Sequence, residues 1–240
     1  MALALLLNEY ASHIHINDID RSIFAFWHSV LNETDALCRL IENAKLSVTE
    51  WKRQRALQRV PRNSDLLSLG FSTLYLNRTN RSGIIWSGGP IGGPKQNGLW
   101  RLDARFYRET LVDRIRAIAA YRDRISVTNL DAGALLVQLL PRLSRKSLIY
   151  LDPPYYVKGK RRLYSNFYEH ADHAAVSDLL SECPHPWLVS YDDVPEIRAL
   201  YKGYRRRAYS LSYTAQERYK GAEIIFFSRK LAIPIGTNLP

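Results

Sequence analysis

The 240-residue sequence has few cysteines, a shortage of acidic residues and no long apolar run. Cys38 and Cys183 stand alone, without a C-x-x-C pair, so neither a disulfide framework nor a zinc knuckle is indicated. Two isolated thiols favour a reducing, cytoplasmic location. The apolar segment after Met1 stops at Asn8 and Glu9, which argues against a secretion signal, and no stretch approaches the roughly 20 apolar residues that span a bilayer. No membrane partner is therefore expected.

The shortage of acid leaves a strongly basic chain. There are 34 Lys and Arg residues against 23 Asp and Glu residues, a formal net charge of +11. No basic tail carries this excess, so we expect a cationic folded surface that favours an anionic partner, with nucleic acid as the leading candidate. Solvated helix faces account for many such excesses, so the charge alone leaves that choice open.

Apolar periodicity alternates between helical and strand-like along most of the chain. Strand-like segments end in acidic residues at Asp18, Asp131 and Asp152, and segments with helical spacing separate them. This alternation is typical of an α/β domain with a mainly parallel, doubly wound sheet, in which ligands bind at the carboxyl ends of strands. The last two strand-like segments, which begin at Arg205 and Gly221, are predicted to pair.

The composition changes between about residues 46 and 110. This region is rich in Arg, Asn, Ser, Gly and Pro, and it contains the cationic segment WKRQRALQRVPRN and the glycine loop SGGPIGGPKQNG. We interpret it as a lobe inserted into a core formed by residues 1–45 and 111–240.

The segment LIYLDPPYY contains the residue pattern with the most specific chemistry. Pro153 and Pro154 fix the backbone and remove two donors, so the bend after Asp152 can only accept hydrogen bonds. A carboxylate beside a proline carbonyl suits an –NH₂ group, and the ring of Tyr155 offers a stacking face for a base. A simple turn after an acidic strand end is the alternative for a bare D-P-P. The apolar strand before it and the tyrosines after it favour a binding site for an exocyclic amine.

LIYLDPPYY resembles the catalytic motif of amino-methyltransferases, which pass a methyl group from S-adenosyl-L-methionine to an exocyclic amine. The resemblance extends over nearly the whole chain to Dam-like DNA adenine methyltransferases of restriction and phage-defence systems, through INDID, FSTLYLNRTNRSGI with GPIGG, RISVTNLDA and GAEIIFFS. Asp before the double proline is the adenine-directed form. The resemblance implies a Rossmann-like methyltransferase fold whose inserted lobe, residues 46–110, recognises double-stranded DNA, and a restriction or defence-system partner fits it.

Carried over residue by residue, the resemblance implies roles for the strand ends. Asp18 would accept hydrogen bonds from the ribose hydroxyls of the cofactor, as acids at strand tips do in dinucleotide folds. Asp131 would meet the cofactor adenine amine and Leu130 its ring, while Asp152 would serve both cofactor and amine. Capping of the next helix is the alternative for Asp131, and it suits Asp20 better than Asp18.

A compact donor cluster in the inserted lobe points to DNA contact. Asn77, Arg78, Asn80 and Arg81 lie beside Tyr75, and Arg and Asn are the side chains that read base edges or grip phosphates. The target adenine lies inside a duplex and must be swung out, which costs a few kcal/mol that contacts of this kind offset. A polar, glycine-punctuated loop is the alternative.

A second basic segment, KGKRR, follows the double proline. Lys158 and Lys160, with Arg161 and Arg162, would hold the DNA backbone near the flipped base. A solvated loop is the competing interpretation.

The start of the chain departs from the family pattern. Members begin with a strand and a glycine-rich turn that cradles the methionine part of the cofactor, whereas residues 1–10 resemble the helix that follows it. Either the start of the protein lies upstream of Met1, or the chain is a truncation that binds DNA without methylating it. A second functional alternative is an RNA amino-methyltransferase, which shares the double-proline pocket.

The H-x-x-H spacing of His170 and His173, with Cys183 and His185 downstream, is weak evidence for a metal. The segment has the pattern of an amphipathic helix, and methyl transfer needs no metal, so no metal site is predicted.

Overall fold

The computed structural model describes residues 1–157, 168–213 and 219–232, with the backbone alone for 210–213 and 219–222. Contacts divide the chain into two compact units, Met1–Leu130 and Asp131–Pro240. In the described part of the chain, no helix combines the length and the apolar character needed to cross a membrane.

Unit 1 is mostly helical around one parallel pair of strands. The strands pair in parallel from Ile14 opposite Ile125 to Asn17 opposite Thr128. Its elements are α1 (Ala2–Leu7), β1 (Ile14–Asn17), α2 (Arg21–Asn32), α3 (Thr34–Glu42), α4 (Val48–Arg59), α5 (Leu66–Thr79), α6 (Arg108–Ala119) and β2 (Ile125–Thr128).

Helix α5 forms the centre of unit 1, within the region interpreted from sequence as an inserted lobe. Its residues 69–76 are all buried. Its polar side chains can be buried because their hydroxyls are satisfied within the helix: Thr73 Oγ1 donates to Leu69 O at 2.9 Å and Thr79 Oγ1 to Tyr75 O at 2.8 Å. At Gly70 a Cβ would lie 2.6 Å from Ala25 O, so the closeness of α5 to α2 requires glycine.

Unit 2 is built around a four-stranded sheet. Its elements are α7 (Ala132–Leu139), β3 (Ile149–Leu151), α8 (His170–Ser181), β4 (Trp187–Asp192), α9 (Pro195–Leu200), β5 (Arg205–Tyr213) and β6 (Tyr219–Phe227). The strand order in the sheet is β3-β4-β6-β5. Buried residues of β4 and β6, among them Trp187, Tyr191, Ile224 and Phe226, pack in its core with Tyr201, which follows α9 directly.

The strand pairs are mixed in direction. β3 runs parallel to β4, while β6 is antiparallel to both β4 and β5. The predicted pairing of the last two strands is confirmed, and only five residues join them, which forces an antiparallel hairpin. The structure is thus mixed α/β. The strands that end in acidic residues form parallel pairs, β1 with β2 and β3 with β4, while β6 and β5 add an antiparallel hairpin to the second sheet.

Candidate active site

Asp152 follows β3 directly and leads into the double-proline bend. Its Oδ1 accepts a hydrogen bond from Ser190 Oγ at 2.7 Å, and Ser190 Oγ also lies 3.0 Å from the hydroxyl of Tyr150. Among the described residues Asp152 forms no ion pair, and its Oδ2 has no hydrogen-bond partner. The carboxylate is therefore anchored through one oxygen while the other is open to a ligand.

The surroundings of Asp152 favour a strong interaction with a donor. Loss of water around the carboxyl raises the pKa of Asp152 although the residue keeps an exposed face; the Ser190 hydrogen bond opposes this rise, and the negative charge of Glu223 adds to it. A partly desolvated carboxylate binds an N–H donor more strongly than one in bulk water.

Pro153, Pro154 and Tyr155 form the remainder of the bend. Pro153 is buried, and Pro154 and Tyr155 are partly buried. The prolines have no N–H, so their carbonyls present acceptors without competing donors. The Tyr155 hydroxyl donates to Glu223 Oε1 at 2.9 Å, which holds the far end of the ring.

Asp192, at the end of β4, pins the chain that follows the bend. Its two carboxylate oxygens accept from the backbone N–H groups of Tyr156 at 2.8 Å and Val157 at 2.9 Å, and the residue is 4% exposed. β3 and β4 are parallel, so Asp192 and Asp152 end neighbouring strands at one edge. Asp192 was not identified from sequence, although it lies at the end of the strand-like segment PWLVSYDD in the same way as Asp152 lies at the end of its own strand.

His173, half of the H-x-x-H pair, belongs to an aromatic cluster. It is fully buried, its Nδ1 lies 3.3 Å from the Tyr191 hydroxyl, and its ring lies 5.3 to 5.4 Å from those of Tyr156 and Tyr168. His170 Nδ1 lies 3.2 Å from the hydroxyl of Tyr156. Within the ranges described, no group of three metal-binding side chains occurs.

Asp131 caps helix α7, one of the two roles that its sequence allows. Its Oδ1 accepts from the N–H groups of Gly133 at 2.9 Å and Ala134 at 3.2 Å, and its Oδ2 accepts from the Tyr168 hydroxyl at 2.8 Å. Desolvation raises the pKa of Asp131, but the Tyr168 bond and these backbone bonds together bring it below its ordinary value. The carboxylate is therefore ionised and fixed in orientation.

In unit 1, Asp18 lies just beyond β1. Its Oδ1 accepts from Asp20 N at 2.9 Å, and Oδ2 has no partner within the described ranges. Burial raises the pKa of Asp18 to about 6. The hydrogen bond from the Asp20 N–H opposes this rise, and the negative charge of Asp20 adds to it. Asp20 caps α2 by accepting from Ser22 N at 2.8 Å, the arrangement that its sequence favours.

Asn17 joins the ends of β1 and β2 and was not identified from sequence. Its side chain donates to Leu130 O at 2.9 Å and accepts from Leu130 N at 3.1 Å. Asn129 completes the connection by donating to Asp18 O at 2.7 Å. Asp18 and Leu130, two predicted cofactor ligands, are thereby held at the same end of one strand pair.

The four residues of the donor cluster, which are predicted to contact DNA, differ in accessibility. Arg81 is exposed, and in the described part of the chain its side chain has no ion pair. Asn77 and Arg78 are partly buried; Asn77 donates to Gly83 O at 3.2 Å, and desolvation and then the nearby cations Arg105 and Arg114 lower the pKa of Arg78.

Asn80 is placed differently from its expected role. It is 0% exposed, its Oδ1 accepts from Trp51 Nε1 at 2.6 Å, and its Nδ2 donates to Ile84 O at 2.7 Å. A DNA contact would require Asn80 to give up both bonds. Lys158 and Lys160 lie outside the described residues.

A family model for the D12 class N6 adenine-specific DNA methyltransferases matches residues 2–215. A search of curated proteins found no match. The family match covers the acidic strand ends of unit 1 and the Asp152 bend together. The chain belongs to the D12 class N6 adenine-specific DNA methyltransferase family.

Proposed function

We propose that the Asp152 bend binds the exocyclic amine of adenine in double-stranded DNA and that this chain uses S-adenosyl-L-methionine as methyl donor. The observation that carries the proposal is the open Oδ2 of Asp152 beside a donor-free bend. Membership of an adenine-specific DNA methyltransferase family supports it.

The residues of the bend would prepare the amine. Asp152 Oδ2 and a carbonyl of the Pro153–Pro154 bend accept the two N–H protons, which turns the nitrogen lone pair out of conjugation with the ring. The Tyr155 ring stacks on the base, a contact of about 1 to 3 kcal/mol. The amine loses a proton after methyl transfer, so no side chain has to act as a strong base beforehand.

The strand ends of unit 1 fit the proposed cofactor. Asp18 keeps one carboxylate oxygen without a partner in the ranges described, as a ribose hydroxyl donor requires. The chemistry that S-adenosyl-L-methionine supplies when bound is a methyl group on a sulfonium, whose C–S electron pair stays on sulfur as the new C–N bond forms. We assign Asp18 and Leu130 of unit 1 to its binding, and we keep Asp131 and Asp152 of unit 2 as the further contacts that the family resemblance implies.

The affinity for the cofactor is predicted to depend on pH through Asp18. The ionised carboxylate accepts ribose hydroxyls and the protonated one does so poorly, so affinity falls as the pH drops through about 6, the raised pKa of Asp18. Calorimetric titrations between pH 5 and 8 measure this. Asp18→Asn weakens binding at pH 8 roughly tenfold and removes the dependence.

Asp113→Asn is the matched control for Asp18→Asn, because Asp113 is an exposed carboxylate of α6 in the same unit. It should keep both the affinity and the pH dependence of the wild type. An unchanged pH dependence in Asp18→Asn would remove Asp18 from the cofactor site.

We also propose that residues 46–110 recognise DNA and that Arg81 is a phosphate contact. Arg81→Ala is predicted to weaken DNA binding. It should also make the binding less dependent on salt, reducing the magnitude of the slope of log affinity against log salt by about 1. Asn80→Ala lowers the stability of the fold by about 1 to 3 kcal/mol, because it strands the buried Trp51 N–H, and leaves that slope unchanged. Equal slopes for Arg81→Ala and the wild type would contradict the assignment.

We further propose that the protein works in the cytoplasm alongside a restriction or defence-system partner. A cytoplasmic location fits a DNA substrate and the two free, buried thiols Cys38 and Cys183. A restriction or defence-system partner fits the family resemblance of the recognition region.

The experiment that tests the proposed substrate offers duplex DNA and ribosomal RNA side by side, with methyl-labelled S-adenosyl-L-methionine. We expect label in the DNA alone. Label confined to the RNA would identify an RNA amino-methyltransferase instead.

A further inference from the structure

Glu223 is a buried carboxylate next to the amine-binding bend. It lies on β6, opposite Asp192 of β4 and Tyr209 of β5, and is 2% exposed. Burying a carboxylate is costly unless hydrogen bonds satisfy it. Hydrogen bonds to the Glu223 carboxylate must therefore offset the cost of burying it.

Both oxygens of Glu223 accept hydrogen bonds from phenols. Oε1 accepts from the Tyr155 hydroxyl at 2.9 Å, and Oε2 accepts from the Tyr209 hydroxyl at 2.7 Å. Hydrogen bonds to an ionised acceptor are roughly twice as strong as neutral ones, and they fix the direction of the donor. Burial and then Glu223 raise the pKa of Tyr209, which keeps that phenol protonated as a donor.

The position of Glu223 makes it a rigid support. β6 lies between β4 and β5 in the sheet, so the backbone of Glu223 is held by strands on both sides. Tyr155 follows two prolines, which fix the backbone before it, while the Glu223 bond fixes the opposite end of its ring. Sites on strands hold a functional group more accurately than sites on loops.

We propose that Glu223 is a positioning residue that orients the Tyr155 ring as the stacking platform for the target adenine. This positioning role rests on the proposed function, because the orientation of the Tyr155 ring matters only if a base stacks on it. Glu223 does not contact the substrate. A ring displaced by 1 Å costs up to about a hundredfold in rate, so a fixed ring favours kcat more than affinity for DNA.

The test compares Glu223→Gln, Tyr155→Phe and the double variant. Glu223→Gln keeps the shape but replaces one acceptor by a donor, and Tyr155→Phe keeps the ring but removes the hydroxyl. Each is expected to lower kcat roughly tenfold or more with little change in KM for DNA. The double variant should lose no more than either single variant, because both break the same bond. Multiplied losses in the double variant would overturn the proposal.

Tyr209→Phe separates positioning from stability. It removes the other hydrogen bond to Glu223, so it should lower the melting temperature about as much as Tyr155→Phe but reduce kcat less. An equal loss of kcat in both would show that Glu223 acts through stability alone.

A readout that does not depend on activity places 3-fluorotyrosine at position 155. The fluorine resonance is expected to shift or broaden in Glu223→Gln and to stay unchanged in Asp178→Asn, an exposed control on α8. An unchanged resonance in Glu223→Gln overturns the positioning role. A wild-type protein without methylation but with the expected fluorine shift would contradict the proposed function and leave the Glu223 contact supported.

Discussion

Replacing Asp152 by asparagine is expected to lower kcat for methyl transfer by about a thousandfold, the scale seen when one electrostatic contact to reacting atoms is lost. The substitution keeps the shape and the possible bond to Ser190, but it places an –NH₂ group against the amine where Oδ2 stands open. Asp152→Ala is expected to lower kcat by a similar factor, because it removes the carboxylate that accepts the N–H of the amine. Single-turnover assays with saturating DNA measure the chemical step.

Non-specific DNA binding should survive in both Asp152 variants, since the carboxylate contributes no attraction to phosphate. Asp178→Asn serves as the control, because it removes an exposed carboxylate from the same unit. Normal methylation by Asp152→Asn would refute the assignment of the bend.

Removal of the Tyr155 ring is the second change with a large expected effect. Tyr155→Ala is expected to lower kcat by about a thousandfold or more, because the lost stacking of about 1 to 3 kcal/mol is joined by misplacement of the base against Asp152. Tyr155→Phe keeps the stacking face, so it should lose only the roughly tenfold in kcat that is expected when the hydroxyl's bond to Glu223 is removed. Fluorescence of 2-aminopurine at the target position reports whether the base still leaves the helix and stacks.

The alanine and phenylalanine variants must differ for this account to hold. If Tyr155→Phe is as inactive as Tyr155→Ala, the hydroxyl and not the ring face carries the function. If Tyr155→Ala stays active, the ring is not the platform.

The acidic strand end and the bend were predictable from sequence because they are local. Asp152, Pro153, Pro154 and Tyr155 are consecutive, and the proline chemistry is independent of the fold. The partners of these residues come from other strands: Ser190 lies 38 positions from Asp152, and Glu223 lies 68 positions from Tyr155. Such contacts depend on strand register, which the sequence pattern does not supply.

Composition does not reveal where polar groups turn inward. Thr73 and Thr79 lie in the polar region 46–110, yet both are buried in α5 and their hydroxyls donate to carbonyls of their own helix. Asn80 looked like a base-reading side chain, yet both of its polar ends are used by Trp51 and Ile84. Residue type alone does not tell an outward donor from a satisfied buried one.

The most direct measurement digests unmethylated genomic DNA to nucleosides after incubation with the protein and methyl-labelled S-adenosyl-L-methionine, and identifies the labelled nucleoside by mass spectrometry. The account predicts label on the N6 atom of deoxyadenosine for the wild-type chain, and none for an Asp152→Asn protein that still binds DNA. Label on a different base, or equal labelling by the two proteins, would contradict it.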